Sequence, residues 1–156
     1  MKKIVSVFLA VLIIFSLSGC MGANHKSPEE ITSYLTSELD MQGLTEVSGE
    51  TLSHYFGFTK NSVSEFSFLV TEDDVAQDMV AAFKYSSSDA KKLIIDGIGN
   101  YFSKNADVLK DNMTVEYIKV QSRILYEYND IIILVVCSNT EAAKTALNQL
   151  GANELK

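Results

Sequence analysis

Residues 131–137 read Ile-Ile-Ile-Leu-Val-Val-Cys, an unbroken apolar run that constrains the fold more tightly than any other part of the chain beyond its leader. Seven residues is the length of a strand, and the β-branched majority favours extended backbone. A strand that is apolar at every position offers grease to both sides of its sheet. The run therefore predicts a central strand buried on both faces, or nearly so. Residues 123–128 alternate before it, and Asn129-Asp130 supply a turn, so the pair forms a hairpin. A second hairpin is expected upstream. Residues 63–70 place Phe66, Phe68 and Val70 on one face, and residues 78–85 do the same with Met79, Ala81, Phe83 and Tyr85. The acidic segment 71–77 turns between them.

Helical rhythm fills the intervals. Ser27-Pro28-Glu29-Glu30 is a helix start, with a serine cap, proline at the first position and a glutamate three residues after the cap. Ile31, Tyr34, Leu35 and Leu39 then form one stripe. A short helix over 50–56 carries Leu52, Tyr55 and Phe56 and stops at Gly57. After the polar stretch 86–89, Ala90, Leu93, Ile94, Gly97, Ile98, Tyr101 and Phe102 follow amphipathic helical spacing. A glycine on that apolar face costs about 1 kcal/mol against alanine, so Gly97 is expected to mark a close approach of helix to sheet. Residues 107–119 are polar and predict at most a further helical turn or two. The segment 138–141 caps a last helix with Ala143, Ala146, Leu147 and Leu150 inward, ended by Gly151. Residues 85–92 and 137–144 also form a weak internal repeat of strand end, hydroxyl or amide cap, acid, alanine and lysine. The expected architecture is an α+β two-layer sandwich. It has about four antiparallel strands in two β-β-α units, helices on one face, and helices preceding the first hairpin.

The N-terminus constrains location. Met1-Lys2-Lys3 is basic, residues 4–15 are apolar apart from Ser6, and a small-residue segment ends at Cys20. This is the plan of an export signal, and its apolar run is too short to span a bilayer comfortably. Leu17-Ser18-Gly19-Cys20 resembles the lipobox of bacterial lipoproteins. That resemblance implies cleavage after Gly19 and a diacylglyceryl group on the Cys20 thiol. Residues 1–19 are then leader, 20–27 a lipidated tether and 28–156 a single globular domain. Loss of Lys2 and Lys3 moves the formal charge from −7 to −9. Such an acidic domain excludes nucleic acid as a partner and gains no broad attraction to anionic lipid. The lipid on Cys20 must therefore hold it at the extracytoplasmic face of the membrane. With Cys20 consumed, Cys137 has no partner for an intrachain disulfide.

The leader, the segment TLSHYFGF, the block DMVAAFKYSSSDAKKL and the ending YNDIIILVVCSNTEAAKTALNQL together resemble a domain-of-unknown-function family of small lipoproteins from Firmicutes. The likeness covers roughly residues 50–150. It implies a compact α+β domain in which an acidic residue, here Asp78, opens a strand leading into an amphipathic helix. The family carries no established activity, so the resemblance implies no mechanism.

Candidates for chemistry are few. Cys137 ends a strand before a helix N-terminus, where a thiolate is favoured, and His54 is the only histidine outside the tether that could serve it as base. Equally, Cys137 extends the row Ile131, Ile133, Val135 as a small buried hydrophobe. Glu72, Asp73, Asp74 and Asp78 form the densest acidic cluster, in a calcium-compatible loop that lacks the glycine and terminal glutamate of an EF-hand. Tyr117, Tyr126 and Tyr128 are candidates to line a half-wet groove. No zinc spacing, nucleophile elbow, phosphate loop or dinucleotide fingerprint occurs. No cofactor or metal is expected. The leading expectation is a non-enzymatic, membrane-anchored binding or accessory module at the cell surface. The alternatives are a small envelope enzyme using Cys137 with His54, or a solute- or ion-binding module serving a transporter.

Overall fold

The computed structural model describes residues 25–72 and 77–155. The leader, Cys20, most of the tether, Asp73 and Asp74 lie outside the described residues. The chain order is α1 (Pro28–Glu38), β1 (Leu44–Glu46), α2 (Leu52–Phe56), a 3₁₀ turn (Lys60–Ser62), β2 (Glu65–Thr71), β3 (Met79–Lys84), α3 (Ser88–Asn112), α4 (Thr114–Gln121), β4 (Ile124–Tyr128), β5 (Ile131–Val136), α5 (Thr140–Leu150) and β6 (Asn153–Glu154). Among the described residues no helix is long and apolar enough to cross a membrane.

The fold is α+β, built on one antiparallel sheet in the order β1-β2-β3-β5-β4-β6. Both expected hairpins form, and they join through their second strands, with Met79 opposite Val136 and Lys84 opposite Ile131. Among the described residues the sheet has six strands against an expected four or so, because β1 and β6 add short edges. At three and two residues these are too brief to show alternation. Short, polar edges also resist pairing with other chains.

The expected placement of helices on one face gives way to three layers. Ile132, Leu134 and Val136 of β5 pack with Met79, Ala81 and Phe83 of β3 against α2, α3 and α4. Ile131, Ile133 and Val135 pack with Val80 and Ala82 against α1 and α5. The physical reason is β5 itself, since a strand buried at all six positions needs cover on both sides. The internal repeat is accordingly not a structural one. Two like units related by a rotation that sets β3 antiparallel to β5 would carry their helices on the same face. Here α3 and α5 lie on opposite faces, and Phe83 and its counterpart Val135 point to different cores. What the two segments share is capping. Ser87 accepts from the Ala90 amide, and Asn139 accepts from the Ala142 amide.

The α1 start follows its sequence closely. Ser27 Oγ accepts from the Glu30 amide at 3.2 Å, and Glu30 Oε2 accepts from the Ser27 amide at 2.7 Å. Helix α3 is longer than its apolar stripe, because it continues through the polar residues to Asn112 before α4 turns back toward β4. Gly97 does mark a close approach, but to α2 and not to the sheet. A Cβ at Gly97 would press on the Phe56 carbonyl oxygen and lie 2.9 Å from Phe58 Cδ1. Phe56 and Phe58 stack with ring centroids 5.6 Å apart, and both meet Phe83 edge-on. The glycine thus lets α3 seat an aromatic wedge on the sheet.

Candidate functional site

Cys137 follows the last residue of β5, and its side chain belongs to the core beneath α1 and α5. It is 8 % exposed, and burial pushes its thiol above the ordinary range, against a weaker lowering from the Asn139 backbone. The nearby α5 N-terminus therefore does not produce a poised thiolate. His54 is exposed on α2, which covers the opposite face of the sheet. The thiol–imidazole pair needed for nucleophilic catalysis is not assembled, because the sheet lies between the core that holds Cys137 and the helix that carries His54.

The two described members of the acidic cluster, Glu72 and Asp78, have separate partners. Glu72 accepts from Thr45 Oγ1 at 2.6 Å on the β1 edge. Asp78 instead joins an ion triad that reaches from the β2–β3 turn to α4. Lys119 Nζ lies 2.9 Å from Asp78 Oδ2 and 2.8 Å from Glu116 Oε2, and Glu116 also accepts from the Gln77 amide at 2.7 Å. The Lys119 side chain is only 8 % exposed. Burial alone would lower its pKa, but the hydrogen bonds to Glu116 and Asp78 outweigh that and raise it. Among the described residues no group of three His, Cys, Asp or Glu side chains could hold a metal ion.

The three tyrosines considered for a groove are split between faces. Tyr126 is buried with the α1/α5 core and Tyr128 packs against it, whereas Tyr117 packs on the α2/α3/α4 side. A different tyrosine organises polar contacts. Tyr85 Oη donates to Glu127 Oε1 at 2.5 Å, and Lys91 Nζ donates to both Glu127 oxygens at 2.7 and 2.8 Å. The Glu127 acceptor pushes Tyr85 up to about 12. Burial alone would raise Glu127, but the bonds from Lys91 and Tyr85 prevail and lower it. This cluster ties the first turn of α3 to β4.

A concave surface of mixed aromatic and polar lining lies between α2 and α3. It encloses about 360 Å³ and is lined by His54, Tyr55, Asn100, Tyr101 and Lys104 among others. Tyr55 and Tyr101 form its aromatic floor, with ring centroids 5.7 Å apart. Burial raises the Tyr101 hydroxyl, so it stays a neutral donor and acceptor at physiological pH. A groove with an aromatic base, an imidazole, a carboxamide and an ammonium can recognise a small polar ligand, though it holds no paired acid and base. Sequence reasoning placed His54 and Tyr55 on one short helix but missed their partners, which lie more than 40 residues downstream. Gly97, also in the groove wall, was the one signal of that meeting.

Comparison with known proteins finds no matching family model, no similar curated protein and no similar solved structure.

Proposed function

We propose that the chain is a lipid-anchored extracytoplasmic lipoprotein whose domain serves as a non-enzymatic binding or accessory module at the cell surface. The observation that carries this reading is the sequence Leu17-Ser18-Gly19-Cys20 at the end of a basic-then-apolar leader, seven residues before the Ser27 helix cap. Two acyl chains on one residue hold a protein on a bilayer stably. The separation of Cys137 from His54 removes the constellation that best supported an enzyme. The resemblance to small Firmicutes lipoproteins belongs to this proposal and adds no activity to it.

Mass spectrometry of the membrane fraction tests the anchor. The expected species begins at Cys20 and carries diacylglycerol on its thiol. The Cys20→Ala variant should be unprocessed or released, and normal lipid labelling of that variant would refute the assignment. A solute-binding role is the second reading, favoured by the groove between α2 and α3. Its test is a thermal-shift screen of amino acids, short peptides and sugars. A stabilising ligand should lose its effect in the surface variants His54→Ala and Lys104→Ala, and a ligand indifferent to both would place binding elsewhere.

A further inference from the structure

We infer that the end of the domain formed by His25, Lys26, Lys84 and the Asn129-Asp130 turn lies toward the lipid bilayer, with the α3–α4 corner held farthest from it. This rests on the anchoring of Cys20 proposed above and adds an orientation to it.

The chain enters the domain at a fixed place. His25 Nδ1 and Asn129 Nδ2 lie 3.0 Å apart, Lys26 Nζ sits 5.8 Å from the centroid of the Tyr34 ring, and Ser27 is held by its capping box. Three consecutive residues are thus tied down at one end of the sheet. His25, Lys26 and Ser27 share a cleft of about 490 Å³ with Glu65, Lys84, Asn129 and Asp130. Those are the start of β2, the end of β3 and the β4–β5 turn, so the cleft marks one end of all four long strands. Five residue-to-residue steps lead from Cys20 to His25, and at full extension they reach about 18 Å.

Helix α3 defines the opposite end. It starts beside the tether, where Lys91 meets Glu127. By Phe102 it has reached Arg123, whose guanidinium lies 4.8 Å from the ring centroid just before the first residue of β4. The helix then continues to Asn112, which at 1.5 Å per residue carries it roughly 15 Å further. Adding the strand length puts the α3–α4 corner roughly 30 Å from the point of entry, beyond the reach of the tether. The domain therefore cannot invert on its anchor.

Charge favours the same pose. Lys26, Lys60 and Lys84 sit among Glu29, Glu30, Glu65 and Asp130 at the tether end, so most of the net charge of −9 lies elsewhere. Toward the other end Asp40, Glu72, Asp78, Asp107, Asp111 and Glu116 outnumber Lys104, Lys110, Lys119 and Arg123. Repulsion from anionic headgroups fades beyond a Debye length of about 8 Å, so an upright domain escapes it and a tipped one does not.

Energy transfer from a fluorophore on the protein to rhodamine-labelled headgroups tests the orientation. The lipid-modified full protein is purified from membranes and reconstituted in vesicles of phosphatidylcholine with a minor share of phosphatidylglycerol. The dye is carried on an azidophenylalanine at Asn61 or at Asp111, both exposed. Transfer from position 61 should exceed that from position 111 severalfold. Equal transfer, or stronger transfer from 111, in protein that floats with the vesicles would overturn the orientation alone. Protein that carries no lipid and fails to float would overturn the anchoring reading and the orientation with it.

Discussion

Two glycines of one helix should respond to alanine with opposite signs. Gly97 and Gly99 both lie inside α3, where alanine is favoured over glycine by about 1 kcal/mol. At Gly99 a Cβ meets nothing within 4 Å, so Gly99→Ala should stabilise by about 0.5–1 kcal/mol. At Gly97 the new methyl would press on the Phe56 carbonyl and come within 2.9 and 3.3 Å of the Phe58 ring. Neither neighbour can yield easily. Phe56 and Phe58 are 4 % and 2 % exposed and are wedged against Phe83. Overpacking of this kind costs about 1–3 kcal/mol, and a clash with a backbone oxygen belongs at the upper end, so after the propensity gain Gly97→Ala is roughly 2 kcal/mol less stable than the parent. Urea denaturation followed by far-UV circular dichroism reads both effects as shifts of the midpoint in opposite directions at unchanged slope. A Gly97→Ala midpoint that rises with that of Gly99→Ala would refute the close approach of α3 to α2.

Lys119→Met should destabilise by about 2–4 kcal/mol in the same assay, because it leaves Asp78 and Glu116 without their shared cation; a change under half a kilocalorie would show the triad to be well solvated. Thr32 and Ser67 hydroxyls meet at 2.7 Å between α1 and β2, both buried, so Thr32→Val should cost about 1–3 kcal/mol by stranding Ser67. Adding Ser67→Ala should recover part of that loss, and a double variant as unstable as the sum of the singles would deny the coupling. Native Cys137 should resist a thiol reagent until denaturant is added, whereas fast stoichiometric labelling of the folded protein would contradict its burial. Glu127 has a lowered folded pKa, so its contribution is present above the ordinary value of 4.5 and is lost as pH falls below it. Glu127→Gln should therefore lower stability near neutral pH and flatten the acid limb of the stability profile, and an unchanged limb would count against the Lys91–Glu127–Tyr85 cluster.

Features encoded over a few neighbouring residues were legible in the sequence. The Ser27 box, the Asn139 cap, the terminators Gly57 and Gly151 and the two hairpins follow from spacing within a single element. Relations between distant residues were not. Lys119 gives no sign in its own surroundings that Asp78, 41 residues earlier, waits for it. His54 and Cys137 looked like possible partners because each is chemically scarce, and scarcity says nothing about which side of a sheet a residue occupies. Tyr117, Tyr126 and Tyr128 were grouped by type and nearness in the chain, but α4 and β4 deliver them to opposite cores.

The face assignment was recoverable from β3 and β5 together. In β5 every position is apolar, which already excludes a sheet with one wet side. In β3 the alternation sets Met79, Ala81 and Phe83 on one face, yet the intervening Val80 and Ala82 are apolar as well. Two adjacent central strands without a polar row require helices above and below. The chain supplies them: α1, whose stripe is Ile31 and Leu35, and α5, with Ala143, Ala146 and Leu147, cover the side where Val80 and Ala82 are small enough to admit them closely. The aromatic wedge of Phe56, Phe58 and Phe83 then fills the other side together with Ile94, Ile98 and Phe102 of α3, which comes closest to α2 at Gly97. The groove between α2 and α3 follows from that contact. A side chain at position 97 would push the two helices apart, so the residue that permits the packing also shapes the groove floored by Tyr55 and Tyr101.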